Sequence, residues 1–221
     1  IPRDGRGVVR FFDTDPCFVY HHANAHEQEG QLILDSVCYD SFPTLDDAED
    51  YSTVDFDHVP ASQLWRFTVD LATENVDVEK LIERPCEFPT LNPQVVGREY
   101  RYLYMGATHG TAKNAPLQAL IKRDMKTGEE QFWSAAPRGF GGEPLFVARH
   151  GGSDEDDGWV LLWIYNAERE CSELGIFDAK DITAGPVAVL KLTHHVPYGL
   201  HGSFTSAYFG PEVAPSSKGL N

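Results

Sequence analysis

Two histidines and two glutamates recur at similar distances along the chain, and together they could form a metal site. They are His21, Glu87, Glu143 and His201, separated by roughly 55–70 residues in each step. If each lies at the same point of a structural repeat, their side chains converge on one axis. Neutral imidazoles suit ferrous iron, and the second N–H of a bound ring needs an acceptor such as a carboxylate. Direct ligation by a carboxylate is the competing arrangement.

The first of these histidines ends a short apolar run, in the sequence FVYHHANAHE that starts at residue 18. Side chains alternate across an extended strand, so His21 and His22 point to opposite faces and only one of them can face a given site. We expect His22 to pack or to form a hydrogen bond elsewhere. Asn24 and Glu27 are predicted to follow in a turn, where they have a structural role.

Short segments rich in β-branched and aromatic residues dominate the chain and predict an all-β fold. The predicted strands are 8–12, 17–21, 31–39, 64–71, 100–105, 117–123, 145–148, 159–165, 174–177 and 187–192. Residues 43–60, rich in proline and aspartate, are predicted to form a long excursion over the surface. A weak helix is predicted within it at 46–51.

Three strands are followed by a turn that begins with aspartate, and these turns form an internal repeat. Asp70, Asp124 and Asp178 lie about 54 residues apart, and Asp13 begins a weaker copy. Between these hairpins a second unit recurs, in which a histidine or a glutamate precedes a glycine and a strand. Four short strands per repeat are typical of a β-propeller blade, so the chain is expected to contribute about four blades.

Composition narrows the classes of partner. The chain has 221 residues, 42% of them hydrophobic, and a formal net charge of −16, which argues against binding to nucleic acid. Its four cysteines lie far apart, without a C-x-x-C pair, and are expected to be free thiols in a reducing compartment. We therefore expect a cytoplasmic protein, with a peripheral membrane contact left open.

Four segments around the candidate residues resemble those of the carotenoid cleavage oxygenase family. They are FVYHHANAHE from residue 18, CEFPTLNP from residue 86, GEPLFV from residue 142 and PYGLHGSF from residue 197. The resemblance implies a seven-bladed β-propeller with iron(II) on its axis, held by four histidines. It also implies that His21 and His201 are two of these ligands and that Glu87 and Glu143 are carboxylates behind them.

The other two histidine ligands of this family belong to the N-terminal half, and no segment here matches them. The chain is thus expected to be the C-terminal portion of a single propeller domain over residues 1–221, completed by an N-terminal segment with two more histidines. The resemblance implies an iron(II)-dependent dioxygenase that uses O₂ to cleave a conjugated C=C bond of a carotenoid or apocarotenoid into two carbonyl products. The apolar polyene would bind in an apolar tunnel.

Three alternatives remain open at this point. The protein could cleave stilbenes, it could be a retinoid isomerase of the same family, or it could be a propeller that serves as a binding scaffold without catalysis.

Two other polar features are interpreted as structural. His194 and His195 are adjacent on an extended segment and cannot both chelate one ion, and the acidic run 153–158 is expected to be a solvated hairpin loop without a calcium site.

Overall fold

The computed structural model describes residues 1–2, 4–44, 53–111 and 113–210. Within these ranges the secondary structure consists of twelve β-strands and short 3-10 turns, without an α-helix. No helix among these residues is long and apolar enough to cross a membrane. The predicted all-β class is therefore confirmed, whereas the predicted helix at 46–51 lies outside the described residues.

The twelve strands form three antiparallel sheets of four strands, and each sheet uses four consecutive strands. The first sheet contains β1 (Phe18–Gln28), β2 (Gln31–Tyr39), β3 (Ser62–Asp70) and β4 (Val76–Ile82). The second contains β5 (Cys86–Thr90), β6 (Tyr102–Ala107), β7 (Ala119–Asp124) and β8 (Glu130–Ser134). The third contains β9 (Gly139–Ala148), β10 (Gly158–Asn166), β11 (Cys171–Asp178) and β12 (Pro186–Lys191).

The sheets pack against one another in chain order, and the apolar core lies between them. Leu64 of the first sheet packs in one cluster with Leu103 and Ile121 of the second. Leu120 of the second sheet packs in another cluster with Phe177 of the third. Burying these side chains brings the three sheets together as successive layers, as the blades of a propeller are arranged.

The strand predictions fail mainly at positions with little apolar pattern. The outer strands β4 and β8 were missed because most of their side chains are exposed or only partly buried. Strand β5 was missed because it is short and interrupted by a register shift. The predicted strand at 8–12 is wrong, since residues 4–17 contain no strand, and the predicted fourth copy of the repeat at Asp13 therefore has no hairpin.

The three aspartates of the repeat occupy equivalent positions, as predicted. Each is the last residue of the third strand in its sheet, and its Oδ1 accepts hydrogen bonds from backbone N–H groups of the following turn. The donors are Ala72 and Thr73 for Asp70, Lys126 and Thr127 for Asp124, and Lys180 for Asp178. The repeat that the sequence indicates is therefore a repeat of whole sheets.

Asp124 differs from Asp70 in having a cation partner, and this difference predicts a stability effect. The Arg101 guanidinium binds Asp124 Oδ2 at 2.7–2.8 Å and lowers the pKa of this buried carboxyl to about 2. A depressed pKa stabilises the fold above the unfolded pKa of about 3.9, and this contribution is lost as the pH falls toward about 2. We expect Asp124→Asn to lower the free energy of unfolding by about 1 kcal/mol at pH 7, because asparagine keeps the turn hydrogen bonds and the half-exposed Arg101 is screened by solvent.

The equivalent substitution Asp70→Asn is the matched control, because asparagine keeps the oxygen that accepts the turn hydrogen bonds. Urea unfolding at pH 7 and at pH 3 measures both variants. The destabilisation by Asp124→Asn should exceed that by Asp70→Asn at pH 7 and should shrink at pH 3. Equal destabilisation of the two variants at pH 7 would contradict a role of the Arg101 ion pair.

The acidic loop 153–158 is the hairpin loop between β9 and β10, as predicted, but it is only partly solvated, since Ser153 and Asp154 are exposed and Glu155, Asp156 and Asp157 are half-buried. Each of its four carboxylates binds a group in its own or the neighbouring sheet. The pairs are Asp154 with Lys180, Glu155 with the backbone N–H groups of Arg101 and Tyr102, Asp156 with Lys122, and Asp157 with Arg149. The loop therefore joins the third sheet to the second. Pairing of its carboxylates with N–H groups and lysines allows an acidic run to lie at the contact between these two sheets.

Candidate metal centre

Three of the four candidate residues lie in the first strand of a sheet. His21 is in β1, Glu87 in β5 and Glu143 in β9. Since the sheets pack in order, their first strands are neighbours, and β5 contacts both β1 and β9. His201 follows β12 at the position where the first strand of a fourth repeat was expected, but residues 192–210 contain no strand. The structure nevertheless brings all four side chains together.

The two imidazoles face each other, and each is held from behind by a carboxylate. The Nε2 atoms of His21 and His201 are 3.3 Å apart. His21 Nδ1 lies 2.6 Å from Glu87 Oε2, and His201 Nδ1 lies 3.1 Å from Glu143 Oε1. A carboxylate accepts hydrogen bonds, so each Nδ1 carries the proton and each Nε2 presents a lone pair. Two Nε2 atoms at this distance can share either one proton or one metal ion.

This donor set fits a first-row metal ion. Two imidazole nitrogens bound to one metal at about 2.0–2.1 Å, at angles between right and tetrahedral, lie about 2.8–3.4 Å apart. The observed distance between the Nε2 atoms falls in this interval. The glutamate oxygens already accept hydrogen bonds from the rings, which favours an orienting role over direct ligation. Among the described residues, no group of three or more His, Cys, Asp or Glu side chains is arranged to hold a metal.

Glu87 is the more enclosed of the two carboxylates. The residue is 7% exposed, and Oε2 accepts a second hydrogen bond of 2.6 Å from the Phe88 backbone N–H. Its Oε1 accepts a hydrogen bond of 3.2 Å from the Tyr39 hydroxyl. Phe88 has a φ of 56°, in the left-handed region that non-glycine residues rarely adopt. This backbone turn, within the register shift of β5, points the Phe88 N–H at the Glu87 carboxylate.

The Phe88 ring covers the paired imidazoles on one side. Its centroid lies 5.1 Å from that of the His21 ring and 6.1 Å from that of the His201 ring.

Glu143 is held differently, since its Oε2 accepts a hydrogen bond of 2.6 Å from the Gly202 backbone N–H. An apolar groove of about 350 Å³ adjoins this side of the site, with Leu145 and Trp163 in its wall. The site therefore combines a polar centre with an apolar approach.

Other polar side chains of the first segment have structural partners. His22 points away from the site and binds the Ser36 hydroxyl at 2.8 Å. The predicted turn at Asn24 and Glu27 is wrong, because both residues lie within β1. Asn24 accepts a hydrogen bond from the Gly97 N–H and thereby connects β1 to the second sheet. Its expected structural role is consistent with this contact.

His194 and His195 do not join the paired imidazoles, and both are exposed. The ring of His195 contacts that of Tyr165 edge-on, with centroids 5.4 Å apart.

Two residues at the site, Tyr39 and Phe88, were not predicted from the sequence. The position of Phe88 next to Glu87 was a usable signal. Tyr39 gave none, because its bond to Glu87 joins two different sheets.

Comparisons with known proteins place the chain in a family. The family model described as retinal pigment epithelial membrane protein matches residues 1–206. The chain is 52% identical over 204 residues to apocarotenoid-15,15'-oxygenase of Synechocystis, covering 92% of the chain and 41% of that protein. It is 29% identical over 213 residues to carotenoid 9,10(9',10')-cleavage dioxygenase 1 of Phaseolus vulgaris, covering 90% of the chain and 38% of that protein.

A solved structure agrees with these sequence relatives. The cobalt-substituted Synechocystis ACO superposes with a TM-score of 0.89 at 52% identity, covering 93% of the chain and 43% of that protein. The chain thus spans less than half the length of the relatives that it matches. Together, the family model over 206 residues and the 52% identity show that the chain belongs to the retinal pigment epithelial membrane protein family, which includes the carotenoid and apocarotenoid oxygenases.

Proposed function

We propose that this chain is part of an iron(II)-dependent dioxygenase that cleaves a conjugated C=C bond of an apocarotenoid or carotenoid into two carbonyl products. The observation that carries the proposal is the pair of Nε2 atoms 3.3 Å apart, with a carboxylate behind each ring. The names of the relatives support the substrate class. One solved relative is a cobalt-substituted protein, and this substitution supports a metal in the site.

The residues of the chain have distinct parts in this proposal. His21 and His201 hold the iron through Nε2, and Glu87 and Glu143 fix the two rings through Nδ1. Iron(II), when bound, supplies the activation of dioxygen. Phe88 covers one side of the imidazoles and limits the access of water there. The apolar groove next to His201 suits a substrate that has no charge, because an uncharged polyene gains affinity mainly by burying its surface.

The proposal includes a further part of the protein. Two imidazoles are too few for the four-histidine site that we propose, and the chain corresponds to 41% of its Synechocystis relative. The missing part would supply two more histidines and the remaining blades of a seven-bladed propeller. The three sheets, and a fourth blade beginning near His201, would then be the C-terminal portion of one domain. A cytoplasmic location and a peripheral membrane contact remain predictions.

Oxygen-dependent turnover tests the proposed function. The complete protein, reduced and loaded with iron(II), should convert an apocarotenoid into two aldehyde or ketone products in air and should form none under anaerobic conditions. The measurement is product analysis by chromatography and mass spectrometry. Cleavage of a stilbene in place of a polyene would select the stilbene-cleaving enzyme, and oxygen-independent turnover of a retinyl ester would select the isomerase. A protein that binds no metal would select the scaffold.

A further inference from the structure

Tyr39 contacts the candidate metal centre through Glu87, although nothing in the sequence connects the two residues. Tyr39 is the last residue of β2 in the first sheet, and Glu87 lies in β5 of the second. The Tyr39 hydroxyl donates a hydrogen bond of 3.2 Å to Glu87 Oε1. Oε2 of the same carboxylate receives the bonds from His21 Nδ1 and from the Phe88 N–H. Each oxygen of Glu87 therefore has its own set of donors.

We propose that Tyr39 is a positioning residue for the iron site. Its hydroxyl fixes the rotation of the Glu87 carboxylate, so that Oε2 stays at His21 Nδ1 and His21 Nε2 stays aimed at His201. The inference rests on the proposed function, because it concerns the same candidate ligand. In this arrangement a tyrosine of the first sheet orients a carboxylate of the second, and the carboxylate in turn orients the imidazole.

The need for such a contact follows from the shape of a glutamate side chain. Rotation about its last bond is broad and roughly two-fold, so a carboxylate is not fixed by rotamer preference alone. The two donors at Oε2 allow the group to pivot about that oxygen. A donor at Oε1 removes this freedom, and the ring bonded to Oε2 then has one preferred orientation. Partners beyond the ligands tune a metal site in this way.

The Tyr39 hydroxyl is itself held firmly enough to fix another group. The residue is 6% exposed, and the Tyr20 ring packs edge-on against the Tyr39 ring with centroids 5.5 Å apart. Tyr39 is paired with Ser62 of β3 at the end of the ladder between β2 and β3. Burial and the neighbouring Glu87 carboxylate raise the pKa of the Tyr39 hydroxyl. The hydroxyl therefore keeps its proton near neutral pH and remains a donor.

Tyr39→Phe tests the proposal, with Tyr104→Phe as the matched control. Tyr104 is also buried, and its hydroxyl donates a hydrogen bond of 2.9 Å across a sheet interface to the Ala179 carbonyl, away from the site. Both substitutions remove one buried hydroxyl that connects two sheets. A purely structural role of Tyr39 predicts the same behaviour for both variants, whereas a positioning role predicts a difference at His21.

Two measurements on the complete protein separate these roles. Nitrogen-15 NMR of the metal-free protein reports which ring nitrogen of His21 carries the proton, and competition with a chelator gives the iron(II) affinity. Tyr39→Phe should reduce the fraction of His21 protonated at Nδ1 and lower the iron affinity about three- to tenfold, as expected for one hydrogen bond. Tyr104→Phe should change neither quantity beyond about twofold. Identical results for the two variants would overturn the proposal.

Failure of the proposed function would be visible separately. If the wild-type protein binds no iron, the metal role of the site is wrong, and the NMR comparison alone decides whether Tyr39 orients His21 through Glu87. If the protein binds iron and Tyr39→Phe leaves both affinity and ring protonation unchanged, the proposed function survives and the positioning role of Tyr39 is wrong.

Discussion

Replacement of His21 by alanine is expected to abolish iron binding and oxygen-dependent cleavage in the complete protein. The substitution removes one of the two Nε2 atoms that lie 3.3 Å apart and leaves Glu87 in a buried position without the ring that it holds. The loss of a direct ligand should lower the iron affinity by more than about 100-fold, the upper end of effects from groups that act on a metal indirectly. Metal analysis of the purified protein and product analysis in air measure the result.

His22 provides the matched control for this prediction. It has the same side chain at the next position of the same strand, but its ring binds the Ser36 hydroxyl on the opposite face. His22→Ala should therefore retain iron and activity while losing about 1 kcal/mol of stability, the usual value of one hydrogen bond. Full iron retention in His21→Ala would refute the ligand assignment, and an equal loss in both variants would point to misfolding of β1.

The arrangement of the site could be predicted from the sequence because the repeat matches a whole sheet. One repeat contains four strands, so residues at the same phase fall on the first strand of successive sheets, as His21, Glu87 and Glu143 do. Packing of the sheets in chain order then brings these residues together. The bounds of β2 and β10 were predicted within one residue, because both strands have a strong apolar pattern of their own.

The remaining features depend on contacts between sheets, which leave no local pattern. Tyr39 is one buried aromatic residue among many until β5 is packed against the first sheet. The acidic loop looks solvated in sequence because its partners, including Lys122 and the Arg101 N–H, come from the second sheet. Glu27 was assigned to a turn because polar residues follow the histidines, whereas pairing with β2 continues the strand through that segment.

Substitution of the two glutamates by glutamine should weaken iron binding unequally. Both changes remove the negative charge behind an imidazole, and each should cost about 10–100-fold in affinity. At Glu87 a glutamine can keep its oxygen at His21 Nδ1 and turn its amide toward Tyr39, whose hydroxyl can reverse and accept. At Glu143 both partners are N–H donors, one on each oxygen. The amide group must then face one of these donors.

Glu143→Gln is consequently expected to lose more affinity than Glu87→Gln, because a glutamine with its oxygen at Gly202 leaves its NH₂ facing His201 Nδ1. His201 would then carry its proton on Nε2 and could not bind a metal there. Chelator competition with iron(II) measures both variants. Glu155→Gln is the control, since both of its backbone donors share a single oxygen in a loop away from the imidazoles. A larger loss in Glu87→Gln than in Glu143→Gln would show that charge and burial, and not donor geometry, determine how these carboxylates act.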